Sequence, residues 1–239
     1  MIPEEKKEIQ VAKWYPHDES TRELVKRFCD HIFWLKQIHY NFHQLFEDDG
    51  ANFLMERTAP MFFYDLSNIL ADYFLLEVAK LTDPSTSPVR GETRENFTVE
   101  NLIETVEWPS DCLQELKKLN EGIISFRKYI KSARNGLLAH YDKVTVTSGH
   151  SLGGFPEGED KRLLEVLEHL CNLLHEAAFG EIFGDMVPNH PGDVLDLKKA
   201  LKRAIAFDKL FSDSKGEELT RLSRLLKEVT DENHRQQGS

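Results

Sequence analysis

The stretch SARNGLLAHYD, residues 132 to 142, places Arg134, Asn135 and His140 within seven positions. Imidazole is the side chain that exchanges a proton near neutral pH. Guanidinium is the one that grips a phosphate or carboxylate through paired hydrogen bonds. An arginine followed by a histidine is a frequent accident, and the chain holds a second pair in Arg162 and His169. The surroundings separate the two. Arg162 is followed by Leu163 and Leu164, and Glu168 precedes His169, the pattern of the solvated edge of an amphipathic helix. His140 instead follows Ala139 and has Gly136 one helical turn before it. Helical side chains lean toward the N-terminus, so the imidazole overhangs a position with no side chain and leaves room for a ligand. Glycine inside a helix costs about 1 kcal/mol relative to alanine, which points to a local reason for it.

The preceding turns carry a basic ridge. Arg127, Lys131 and Arg134 fall at i, i+4 and i+7, with Lys128 beside them. The chain as a whole has a formal net charge of −11, which opposes loose binding to nucleic acid. Any phosphate backbone would have to find this local concentration of positive charge. Six residues of α-helix separate two Cα atoms by about 9 Å along the axis and about 120° around it, so Arg134 and His140 do not converge automatically. The helix ends or bends near Gly136, or the arginine swings round, or a second subunit supplies the missing half. A two-fold dimer pairing this helix with its copy would gather two arginines and two histidines in one cleft.

Helical periodicity runs through nearly every long segment, and the fold class it predicts is all-α. Residues 20 to 47 place Leu24, Phe28, Ile32, Leu35, Phe42 and Leu45 near one stripe. Met61 to Leu81 is apolar almost all round and is expected to be a buried central helix, since Asp65, Asn68, Asp72 and Glu77 interrupt it too often for a membrane span. PSTSPVRGETREN is expected to be a loop. Thr98 reads as the N-cap of a short helix that Trp108-Pro109 ends. A helix from Ser110 leads through Ile123, Phe126 and Ile130 into the opening stretch. KVTVTSGHSLGGFPEGE reads as a loop or short β-arm. Residues 160 to 183 resume a helix with Leu163, Val166, Leu167, Leu170, Leu174 and Ala178 on its buried side. GDMVPNHPG is the best linker, and helices over 193 to 212 and 214 to 233 follow, with Ser214 and Glu217 spaced as a capping box. The expected organisation is a bundle of four to five helices over residues 18–185 and a C-terminal helical hairpin within 186–239.

Hydrophobic content of 40% is enough for a sizeable core. Cys29, Cys112 and Cys171 are odd in number and widely spaced, which argues against disulfides and a structural zinc site and fits a reducing, cytoplasmic setting. The charged start MIPEEKKEIQ predicts no secretory leader.

Arg134-Asn135, then Ala139-His140, resembles the signature of HEPN domains, in which an arginine and a polar neighbour precede a histidine by four to six residues. The layout is similar to that of the bacterial abortive-infection HEPN proteins, and Leu81 to Pro84, LTDP, is similar to the close of an earlier helix in that group. The resemblance spans roughly residues 20 to 180. It implies a homodimeric, metal-independent endoribonuclease of a phage-defence or toxin type, without cofactor, joined through the motif-bearing helix. Uncontrolled cutting of cellular RNA would be lethal, so a regulator (an antitoxin or other defence partner) or an inactive resting state is expected. On that reading His140 takes the proton of a ribose 2′-hydroxyl or gives one to the leaving oxygen. Arg134 holds the scissile phosphate, Asn135 orients either group, and Arg127, Lys128, Lys131 and Tyr141 contact the RNA. One HEPN toxin group carries a modifiable tyrosine two positions after the histidine. Here Tyr141 follows His140 directly and position 142 is Asp142, so that control does not transfer.

Two rival functions share these residues: a non-catalytic RNA- or nucleotide-binding domain, and a helical dimeric scaffold. Arg134 and His140 also suit a helix C-terminus on dipole grounds alone. His39 and His43, with Glu47 one turn on, have the spacing of a metal pair, but no cysteine or clear carboxylate cluster completes it, so packing or a wet helix face is expected. Asp83 and Asp65 are expected to be a helix-end group and a buried polar contact.

Overall fold

Proline and glycine set the breaks between helices. A computed structural model of the protein describes residues 18–48, 50–89, 91–133, 155–184 and 190–236. Among them are eight α-helices: α1 (Glu19–Phe42), α2 (Ala51–Thr58), α3 (Pro60–Leu81), α4 (Val99–Thr105), α5 (Ser110–Ala133), α6 (Glu159–Phe179), α7 (Val194–Asp213) and α8 (Glu217–Gln236). A π-helical stretch, His43–Glu47, continues α1. Pro60 occupies the first position of α3, where its missing N–H costs nothing. Gly180, at φ 81°, ends α6 by donating its N–H to the Glu176 carbonyl at 2.8 Å. The protein is thus all-α, as its periodicity predicts.

The described residues fall into two compact units. Those of Met1–Tyr40 and Asn68–Pro188 form the first, and those of Asn41–Ser67 and Asn189–Ser239 the second. Residues 41–67, which sequence order places with the bundle, therefore pack with the C-terminal helices.

In the first unit the stripe of α1 buries Phe28, Ile32 and Leu35 completely. They join Leu116, Ile123 and Phe126 of α5 and Leu167, Leu170 and Leu174 of α6 in one core. Each fully buried leucine or phenylalanine of this kind contributes about 1.5–3 kcal/mol of transfer free energy. Thr98 caps α4 as its sequence suggests, accepting the Asn101 N–H at 3.1 Å. Trp108 is buried and donates its indole N–H to the Leu102 carbonyl at 2.9 Å, which fixes the turn between α4 and α5.

Three local expectations are corrected. The segment after α3 is a hairpin rather than a loop, with β1 (Thr86–Val89) antiparallel to β2 (Glu92–Glu95) and Gly91 at φ 86° in its turn. Asn96 braces it, donating its side-chain amide to the Pro84 carbonyl at 2.8 Å and its backbone N–H to the Ser85 carbonyl at 2.7 Å. β1 (TSPV) holds one valine beside a proline and β2 (ETRE) is polar and exposed throughout, so no apolar alternation announces them. Next, α3 is not buried all round: Met61, Phe62, Tyr64 and Ile69 are exposed, and so is Asp65, which makes no buried polar contact. Finally, Ser214 does not open a capping box. Its hydroxyl donates to the Leu210 carbonyl at 2.8 Å, closing α7, and α8 starts after Gly216.

In the second unit α7 packs on α2 and on the π-helical stretch. Asp193 caps α7 by accepting the N–H groups of Leu195 and Asp196. Lys198 of α7 pairs with the Asp48 carboxylate and donates to the Gln44 side-chain oxygen at 3.4 Å.

Candidate nucleic-acid interface

The basic ridge stands on α5, and packing explains which of its side chains face water. Leu116, Ile123, Phe126 and Ile130 turn into the core, and the ring of Phe126 meets Phe155 at 5.2 Å between centroids. The opposite side of the same turns must then be solvated. Lys128 and Lys131 are exposed there, and Tyr129 is 38% exposed between them. Neither lysine makes an ion pair among the described residues. Arg127 differs. It is half-buried, and its Nη2 lies 3.3 Å from Oδ1 of Asp83, just beyond the end of α3.

That contact places the LTDP segment against the helix that carries the ridge. The carboxylate offsets the charge of Arg127 locally and leaves Lys128 and Lys131 as the cations presented to solvent. Helix α5 is continuous to Ala133, so it delivers the chain directly to Arg134. Arg134, Asn135, His140 and Tyr141 lie outside the described residues, as does most of the segment read as a β-arm. The second arginine–histidine pair is described: Arg162 and His169 are both exposed on α6, the solvated edge expected from their neighbours.

Among the described residues, His39, His43 and His31 stand against carboxylates. His39 Nε2 lies 2.6 Å from Asp160 Oδ2, with side chains only 13% and 10% exposed, and its ring tilts against Phe74 at 5.4 Å. This pair braces α1 against the first turn of α6. His43 pairs with Glu47 one turn on. His31 Nε2 lies 3.3 Å from Glu77, a buried carboxylate that also accepts from Lys80 at 2.6 Å. Burial pushes the His31 imidazole below its usual pKa and outweighs the upward pull of Glu77; Lys80 adds to the lowering. Sequence spacing grouped His39 with His43 and missed Asp160. Its only signal was an acidic residue in the first turn of a helix, which the dipole favours in any case.

The three cysteines are free and buried. Burial raises the Cys112 thiol to about 11, helped by Asp111 and Glu176, and holds Cys171 well above its usual value. No helix among the described residues is long and apolar enough to cross a membrane. A family model, AbiU2 of the HEPN type, matches residues 18–202. No curated protein and no solved structure matches the chain.

Proposed function

This chain belongs to the AbiU2 family of abortive-infection HEPN proteins, and we propose that within it the chain is a metal-independent endoribonuclease. The reaction is attack of a ribose 2′-hydroxyl on the adjacent phosphate. His140 accepts the hydroxyl proton as the 2′-oxygen bonds to phosphorus, and the leaving 5′-oxygen takes a proton from solvent water as its bond breaks. A 2′,3′-cyclic phosphate and a free 5′-hydroxyl result. Arg134 neutralises the charge that builds on the non-bridging oxygens, and Asn135 orients the imidazole or the phosphate. A homodimer formed through the motif-bearing segment supplies both halves of the site.

The observation that carries this reading is the solvent-facing pair Lys128 and Lys131 on an unbroken helix about two turns and one turn before Arg134. Their charge, with the Tyr141 ring beside the motif, gives an RNA backbone a track into it, while Arg127 is held by Asp83. The membership supports the same assignment, because the HEPN signature falls inside the matched residues.

The test is to incubate the purified chain and its His140→Ala variant with end-labelled RNA in EDTA. Cutting that survives EDTA, ends in a cyclic phosphate and vanishes in the variant is the expected result. RNA binding without cutting would replace this function with a binding role, and neither activity would leave a scaffold.

A further inference from the structure

The second unit contains a cavity of about 430 Å³ between α2 and α7. Its residues on α7 recur at helical spacing: Lys198, Lys202, Ile205, Ala206 and Lys209 lie on one face. From α2 come Phe53 and Leu54, and Gly50 and Ala51 line the end at which that helix begins. The interior is therefore largely apolar, and around it stand Lys202, Lys209 and the Lys198–Asp48 ion pair.

The three lysines are not equivalent. Lys198 is tied to Asp48 and Gln44, so it fixes the wall of the cavity. Lys202 and Lys209 make no ion pair among the described residues. Their ammonium groups are available to an incoming charge, in a unit whose α7 carries Lys198, Lys199, Lys202, Arg203 and Lys209 against Asp196, Asp208 and Asp213. The start of α2 adds to the same field. Its N-cap is Gly50, no side chain caps it, and the positive end of the helix lies at the cavity wall. Phe53 is 56% exposed, with the Arg57 guanidinium 5.9 Å from its ring centroid, so a flat apolar surface stands open beside the cations.

A volume near 430 Å³ is within the range that buries a small organic ligand. We propose that this cavity binds a small amphipathic anion, its apolar body against Phe53, Leu54, Ile205 and Ala206 and its acidic head met by Lys202 and Lys209. The site is independent of the ribonuclease reading, since it uses none of the motif residues.

The experiment titrates the full-length chain with anilinonaphthalene sulfonate, an aromatic body bearing one fixed negative charge, and with its uncharged analogue N-phenylnaphthylamine. Fluorescence reads both, and circular dichroism confirms that each variant keeps its helices. Saturable sulfonate binding is expected at one site per chain. Reversing the rim with Lys202→Glu and Lys209→Glu together weakens the sulfonate by about tenfold or more and leaves the neutral dye unchanged. Filling the cavity with Ala206→Trp removes both dyes. If Ala206→Trp does not fold, the charge reversal decides alone. The absence of saturable sulfonate binding, or equal affinity in the charge-reversed variant, overturns the proposal.

Discussion

Asp83 Oδ1 and Arg127 Nη2 stand 3.3 Å apart, linking the segment after α3 to the last two turns of α5. The pair is only partly shielded, with side chains 18% and 30% exposed, so its net value is modest. Asp83→Ala is expected to lower unfolding stability by about 1 kcal/mol, read as a shift of the urea midpoint at unchanged slope. A change above about 3 kcal/mol would mean that Asp83 does more than hold the arginine.

Lys128 and Lys131 differ from Arg127 in having no carboxylate partner among the described residues. Each replaced by alanine is expected to weaken RNA binding to a similar degree on every sequence tested. Each also flattens the plot of log K against log salt by about 0.7 for a single strand. An unchanged slope removes that lysine from the interface.

The lowered pKa of His31 has a defined direction in stability. The unfolded chain binds a proton at this residue near pH 6.5 and the folded protein resists it, so the unfolded state holds more protons just below that pH. Stability from this residue is fully present above pH 6.5 and is lost as pH falls through the lower folded value. Melting temperatures measured from pH 8 down to pH 5 are expected to fall less steeply for His31→Gln than for the wild type. A steeper fall in the variant would contradict the shift.

Cys112, raised to about 11, and the deeply buried Cys171 are thiols rather than thiolates near pH 8. An aromatic disulfide reagent should react with the native protein slowly and release three equivalents only in denaturant, one for each free cysteine. A rapid equivalent on the folded protein would show a reactive thiol.

Thr98 is almost wholly buried and caps α4 through the Asn101 N–H. Thr98→Ala should cost about 1 kcal/mol in thermal or denaturant unfolding, and Thr98→Ser should recover most of it. Equal stability in all three would show that the cap contributes nothing.

Periodicity was enough to place the helices, because α1, α5 and α6 each bury a stripe that recurs at helical spacing in the bare sequence. It failed where the physical cause is not periodic. The hairpin at 86–95 rests on Asn96 and a glycine turn rather than on buried side chains. The exposed half of α3 carries the same residues as a core helix, and composition alone does not say which of them meet a neighbour. At the candidate interface, the spacing of Arg127, Lys128 and Lys131 was legible. The pairing of Arg127 with Asp83 was not, because it joins residues 44 apart through tertiary packing. The same holds for His39 and Asp160, separated by 121.

The second unit is assembled from Asn41–Ser67 and Asn189–Ser239, two pieces on either side of most of the bundle. During synthesis α2 leaves the ribosome long before α7 exists. It must wait without its packing partner while the chain between them is made. A fragment that stops near residue 188 keeps α2 and loses α7 for good. Such a truncation would not isolate a clean first unit; it would strand an orphaned helix, inviting a chaperone or aggregation.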